Sequence, residues 1–435
     1  MKSYIYPLAI SLVISAASCS REEENIWEDS AAVRTEKVVK EQFETLCGAP
    51  NGWSMYYFAA ESEKGGVNFT LNFNENGSVA IGTKNIYNSP VFAEETSLWE
   101  IITDNGPVLT FNSYNNLFHF FSDPDDGIAG GSKGVGLGGD YEFMIMSYCP
   151  DSIVLKGKKT GVYCKMFPLE ADITPEEYFT KLDELQASIG SSDLPYAWFE
   201  AENGERYTAA FKTEDRTITF MIEGGDPKLD EHIVRYVLTN TGIRLFEPFE
   251  GDNEAFSVQN FEYNAEATTL TCIDDGKSKF YSEDLTVLFF APTVKWDFKQ
   301  ASVSGVFAQY YQDVVAQCKA QFSQNFQGFA FRYEAKTAKA TALWFQDGAK
   351  YPNAYLYCTI ETNGNDVKFN FDGTGDSTGR GHLSNVAAIS DLVDFFNNHT
   401  FELQCDSKIC AKYMRLVNKS NPEDYIILDA NYVKL

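Results

Sequence analysis

The feature that most restricts the fold is an alternation of apolar and polar residues, repeated along the chain and broken at short intervals by turn residues. Val67, Phe69, Leu71 and Phe73 alternate with Asn and Thr up to Asn76-Gly77, and Val79 and Ile81 resume beyond it. Side chains on a strand point to opposite faces in turn, so period two produces one apolar face. Asn-Gly between two such runs favours a tight hairpin, because both residues tolerate positive φ. The same pattern predicts strands at Trp53–Tyr57, Leu98–Ile102, Val108–Phe111, Leu117–Phe121, Tyr141–Met146, Ile153–Lys156 and Val162–Phe167. It returns at Ala197–Ala201, Tyr207–Phe211, Thr217–Ile222, Ile233–Leu238, Ile243–Phe246 and Thr269–Ile273, and closes with Phe401–Cys405, Met414–Val417 and Tyr425–Leu428. Turns at roughly eight- to twelve-residue intervals indicate antiparallel meanders in sandwich- or barrel-like modules. The expected class is mainly β (α+β), with a few flanking helices.

Helical period appears in four places. Val39, Phe43 and Leu46 form one face of a helix over Ala31–Cys47. Thr174-Pro175-Glu176-Glu177 supplies an N-cap, a first-turn proline and a capping-box glutamate, and Gly190 ends the helix they begin. A third helix covers Val306–Phe322 and a fourth Asn385–Phe396, the latter after a glycine-rich turn. Val38, Val39, Leu46, Gly52, Trp53, Tyr57 and Ala59 fall without a gap on Val314, Val315, Phe322, Gly328, Phe329, Tyr333 and Ala335, which suggests a duplicated helix-plus-sheet unit.

The amino terminus carries an address. Lys2, an apolar run from Ile5 to Ile14 and Ala16-Ala17-Ser18-Cys19 read as an export signal, too short to span a bilayer at roughly 20 residues. The small residues before a cysteine resemble the lipobox of bacterial lipoproteins, although Ala16 stands where that pattern favours leucine. The resemblance implies acylation (palmitate) at Cys19, which becomes the mature terminus. The alternative is a plain secretory signal. Ser20-Arg21-Glu22-Glu23-Glu24 resembles the tag that exports Bacteroidetes lipoproteins to the outer face of the outer membrane. The chain then divides into a signal (1–18), an acidic tether (19–30), a helix-plus-β domain (31–192) and a β-rich domain (193–435), with a further split near 300 as an alternative.

Composition narrows the partners. Aromatics make up 15% of the chain, which suits half-buried pleated surfaces. A formal net charge of -27 leaves no basic stripe for nucleic acid and no means of electrostatic recruitment to anionic lipid. Membrane attachment rests on the Cys19 lipid. Eight further cysteines permit disulfides; Cys149 with Cys164, or Cys405 with Cys410, could close loops, while Cys318 and Cys358 lie on apolar stripes as buried thiols. No C-x-x-C is present, so a zinc ribbon or thioredoxin-type site is excluded.

Three stretches resemble a known family: Gly106–Asn115, then Leu117–Pro124 with His119, then Gly136–Phe143 with Asp140-Tyr141. With Ile153–Lys158 and Tyr236–Leu245 they are similar to the Bacteroidetes lipoprotein family called domain of unknown function 4302. The resemblance implies no activity and no catalytic residues; it suggests an accessory role beside outer-membrane nutrient-uptake proteins.

Candidate chemistry is sparse. Gly134-Val-Gly136-Leu-Gly138-Gly139 has the spacing of a dinucleotide loop but lacks a preceding strand and a following helix, so a flexible loop between strands is the better reading. Asp123, Asp125, Asp126 and Asp140 bracket it and are candidate Ca²⁺ ligands, though not in an EF-hand spacing. Gly375-Asp376-Ser377-Thr378-Gly379 matches a nucleophile elbow in letters, without the surrounding strand–helix pattern. His119 reads as a satisfied structural residue, and the four histidines are too scattered for a metal signature. Trp198, with Tyr196 beside it, is a candidate ligand-stacking residue, as is Trp27 on the tether, and Ser30 is an accessible O-glycan acceptor in Asp29-Ser30-Ala31. The sequence favours a non-enzymatic surface lipoprotein that binds a glycan, peptide or partner protein. The alternative is a secreted hydrolase with a carboxylate-based or metal-assisted site.

Overall fold

The alternating runs close on themselves three times. The computed structural model describes residues 30–124, 134–190, 197–222, 231–251, 254–282, 284–291, 294–333, 341–347, 354–406, 408–410 and 413–432. Helix α1 (Ala31–Cys47) leads into strands β1 (Trp53–Tyr57), β2 (Val67–Phe73), β3 (Ser78–Thr83), β4 (Ala93–Thr103), β5 (Pro107–Phe111), β6 (Glu142–Cys149), β7 (Ser152–Gly157) and β8 (Tyr163–Pro168). Each pairs antiparallel with the next, and β8 returns to β1. After α2 (Pro175–Ile189) a second barrel follows: β9 (Ala197–Glu200), β10 (Arg206–Lys212), β11 (Thr217–Ile222), β12 (Glu231–Leu238), β13 (Gly242–Glu250), β14 (Ser257–Asn264), β15 (Thr269–Cys272) and β16 (Lys279–Ser282).

The third comprises α3 (Leu285–Phe289), β17 (Val294–Phe298), α4 (Val306–Phe322), β18 (Phe326–Tyr333), β19 (Thr341–Asp347), β20 (Ala354–Asn363) and β21 (Asp366–Gly375). It continues through α5 (Ser377–Asn385), α6 (Ala387–Asn398), β22 (Phe401–Cys405), β23 (Tyr413–Asn418) and β24 (Tyr425–Tyr432), which pairs with β17. The sequence division at 192 falls between the first two barrels; the segment 193–435 holds two, separated between Ser282 and Val294.

Closure solves the edge problem of an antiparallel sheet, since every strand finds two neighbours. An eight-stranded barrel encloses little space, and here large rings fill it. Phe69, Phe118, Phe121 and Phe143 surround Tyr57 in the first, with Phe111 packed against Phe118. Phe199, Phe220, Phe249, Phe261 and Phe280 meet in the second. In the third, α6 inserts Phe396 among Phe331, Phe369 and Phe401. The outward positions of β10 and β4 carry Arg206, Thr208, Lys212, Glu94, Thr96 and Glu100. With Leu98 and Ala210 among them, these outward positions are mixed and not the continuous apolar band of a transmembrane barrel. Among the described residues no helix is long and apolar enough to cross a membrane.

The first two barrels are sewn together by the loop between β1 and β2. Gly65 and Gly66 donate their N–H groups to Asp215 and Tyr236 carbonyls at 2.8 and 2.9 Å. The buried Arg216 guanidinium donates to the Gly66 carbonyl (2.7 Å) and the Asn68 side-chain oxygen (3.1 Å). A Cβ on Gly65 would lie 2.3 Å from both the Arg216 and Tyr236 carbonyl oxygens, so only glycine allows the approach. The third barrel touches α2 through Ile409 and Cys410, with the Cys410 N–H donating to Ile189 at 3.0 Å.

Three local expectations need correction. Leu117–Phe121 is not a strand: the Asn115 side-chain oxygen accepts from the Leu117 and Phe118 N–H groups, turning the chain into a 3₁₀ segment at His119–Ser122. The glycine-rich turn after Gly375 is helix α5, nucleated by Asp376, whose carboxylate accepts from Gly379 N–H at 2.6 Å. The supposed duplication pairs unlike positions, because β1 is the first strand of its barrel and β18 the second of another. The eight described cysteines form no disulfide, so the two loop closures that the spacing permits, Cys149–Cys164 and Cys405–Cys410, are not made; Cys318 and Cys358 are buried as their stripes imply.

Candidate functional site

A partly exposed aromatic cluster lies where the chain leaves β5 and enters β6. Asn115, fully buried, turns the chain and places His119 back against the end of β5. The Asn115 backbone N–H donates to His119 Nδ1 at 3.1 Å. A backbone N–H can only donate, so Nδ1 is the unprotonated nitrogen and Nε2–H donates to the Phe111 carbonyl at 3.0 Å. Phe111 in turn donates its own N–H to the Tyr141 carbonyl (3.1 Å), which fixes the start of β6 beside the histidine.

Two tyrosine rings flank the imidazole. Tyr114 and Tyr141 each have their centroids 5.3 Å from that of His119, at interplanar angles of 29° and 34°. His119 is 7% exposed, whereas Tyr114 is 63% and Tyr141 43% exposed. Burial pushes the imidazole pKa below its ordinary value of 6.5, against the smaller opposing effects of its hydrogen bonds and of Glu95. The histidine is therefore neutral and lies against two exposed tyrosine rings.

A polar rim surrounds the rings. Glu95 accepts from the Asn116 backbone N–H (2.8 Å) and side-chain amide (2.9 Å). Asn112 donates to Glu100 at 2.8 Å, and the Ser113 hydroxyl accepts from Leu98 N–H at 2.7 Å beside the exposed Leu98 side chain. Lys158, reaching Glu142 next to Tyr141, is held between Asp104 (2.8 Å) and Glu142 (3.2 Å).

The glycine-rich segment behind this cluster is held more firmly than a flexible loop. Gly134, Gly136 and Gly138 have positive φ, Leu137 is buried, and Ala60 and Glu61 donate to the Gly138 and Leu137 carbonyls at 3.0 Å. Asp140 is buried; its carboxylate accepts from the Lys159 and Thr160 N–H groups and the Thr160 hydroxyl, fastening the turn between β7 and β8. Asp123 is half-buried on the opposite arm of the loop, and Asp125 and Asp126 lie outside the described residues. Among the described residues no group of three His, Cys, Asp or Glu side chains is arranged to hold a metal ion.

The other sequence candidates are dispersed. Trp198 is half-buried on the outer face of the second barrel, opposite Tyr281 on β16, with the Arg206 guanidinium 4.1 Å from its ring centroid. Its neighbour Tyr196, like Trp27 and Cys19, lies outside the described residues. The Ser30 hydroxyl caps α1 by accepting from Val33 N–H at 3.4 Å. Ser377 begins α5, and His382 two positions past Arg380 bonds Gln324 and the Thr378 carbonyl. Alternation alone does not single out Tyr114 and Tyr141. The signal was an aromatic residue directly before the Asn115-Asn116 turn, where no strand face needs one.

Comparison with curated proteins finds no match. Among solved structures, a DNA polymerase sliding clamp from Pseudomonas aeruginosa is 9% identical, covering 91% of this chain and 98% of that one, with a TM-score of 0.12. A porin-like protein from Bacteroides uniformis ATCC 8492 is 11% identical, covering 88% and 96%, with a TM-score of 0.09. Neither likeness bears on the fold or the site. The stretches that build the tyrosine platform, and the first barrel with most of the second, lie within residues 23–265, which match the model of the domain of unknown function DUF4302, and the chain belongs to that family.

Proposed function

We propose that this protein is a lipid-anchored surface protein of the outer membrane that binds a glycan, peptide or partner protein without transforming it, as an accessory to a nutrient-uptake system. The observation that supports a binding role is the pair of exposed tyrosines lying against a buried, neutral His119 on the end of a ring-filled barrel. Large apolar rings held rigidly in water make contact area available at little entropic cost on binding. The anchoring part rests on Cys19 after Ala16-Ala17-Ser18 and on the acidic run that follows. Two measurements test it. Cys19→Ala should abolish palmitate labelling and move the protein from membranes to the soluble fraction; unchanged membrane retention contradicts the anchor. Chain 20–435 should bind members of a glycan or peptide array, and a blank array contradicts the binding role.

A further inference from the structure

Resting on that binding role, we propose that the Tyr114–His119–Tyr141 cluster is a stacking platform for a neutral polysaccharide. The two exposed rings each lie 5.3 Å from the same imidazole, so they are at most twice that distance apart. One short segment of an oligosaccharide reaches across that span. One face of a pyranose presents axial C–H groups that carry partial positive charge, and these are attracted to the negative face of an aromatic ring. At 63% and 43% exposure the rings form an open surface rather than an enclosed cavity, which fits the side of a polymer better than a buried monosaccharide.

The rim matches hydroxyl groups. Asn112 with Glu100, and Asn116 with Glu95, are amide–carboxylate pairs at the surface, which offer both donors and acceptors, and a sugar hydroxyl can act as either. Among the described residues bonded into the cluster there is no arginine, and Lys158 beside it is neutralised by Asp104 and Glu142. Together with a net charge of -27, this disfavours uronic acids and sulfated sugars. Peptide capture by addition of a strand to a sheet edge is closed off, because β8 pairs with β1 in the first barrel; the proline-rich peptides that dock on aromatic rings are left for the test below.

Affinity electrophoresis of chain 20–435 through gels containing laminarin, xylan, galactomannan or dextran tests the assignment, with polygalacturonate and a proline-rich peptide as competitors. At least one neutral polysaccharide should retard the protein. Tyr114→Ala or Tyr141→Ala should each weaken retardation about tenfold, and the double variant should abolish it. Tyr163→Ala, an exposed tyrosine on β8, should leave it unchanged, and Tyr114→Phe should retain it. The proposal is overturned if no neutral polysaccharide retards the protein, if the double variant still binds, or if polygalacturonate binds in preference. If only the peptide binds, and does so through Tyr114 and Tyr141, the saccharide assignment falls while the platform stands; if neither ligand depends on these tyrosines, both fall.

Discussion

At the scale of single residues, His119 and Gly136 decide how the platform is held. His119 has a folded-state pKa below that of the free imidazole, because burial disfavours its charged form. The unfolded chain therefore takes up this proton first as the pH falls. The stabilising contribution is complete above about 6.5 and is lost as pH drops through the lower, folded-state value. Melting of the wild type should thus show an acid-side loss beginning near pH 6.5 that His119→Gln lacks. At pH 7 that variant should be less stable by about 1–3 kcal/mol, since two buried backbone groups lose a partner; equal pH profiles would contradict the lowered pKa of the buried imidazole. Gly136 sits at φ 64°, and a Cβ there would lie 1.8 Å from the Asp123 carbonyl oxygen. Gly136→Ala should cost about 2 kcal/mol or more in urea unfolding, because both the backbone conformation and the contact are strained.

At the scale of elements, the first strands of two barrels share a device. The Trp53 indole N–H donates to the Leu46 carbonyl at the end of α1 (2.8 Å), and the Trp296 indole to the Phe289 carbonyl at the end of α3 (3.1 Å). Both bonds reach seven residues back, from an inward-facing tryptophan to the last turn of the preceding helix. This is the correspondence that the alignment of Trp53 with Phe329 missed, since that alignment matched apolar positions while α3 is too short to announce itself by period. Trp53→Phe and Trp296→Phe should each cost about 1–2 kcal/mol. The double variant should lose their sum to within about 0.5 kcal/mol, because the two sites lie in different barrels. Strand existence was legible wherever apolar residues alternated, as in Val67–Phe73. It failed at Leu117–Phe121, where the buried Asn115 side chain competes with the sheet for backbone donors. Barrel closure was not legible, because β1 meets β8 across more than a hundred residues and no local pattern encodes that pairing. The binding candidates were read from isolated tryptophans, whereas the platform needs Tyr114 and Tyr141 brought together by that same closure.

At the scale of the molecule, the first two barrels behave as one body through Arg216, which is buried, has φ 51° and serves two acceptors on the neighbouring barrel. Arg216→Met leaves the Gly66 carbonyl and Asn68 oxygen unpaired and should destabilise this pair by about 2–4 kcal/mol. Calorimetry should then resolve two transitions where the wild type shows one for this pair, and a single unshifted transition would contradict the coupling. Filled barrels confine recognition to their outer surfaces, which makes the position of a ligand the central question. Hydrogen exchange of chain 20–435, compared with and without the neutral polysaccharide that retards it most, answers it directly. Exchange should slow at residues 112–119 and 140–142, with the second and third barrels unchanged. Protection confined to those other barrels, with 112–119 unaffected, would contradict the tyrosine platform.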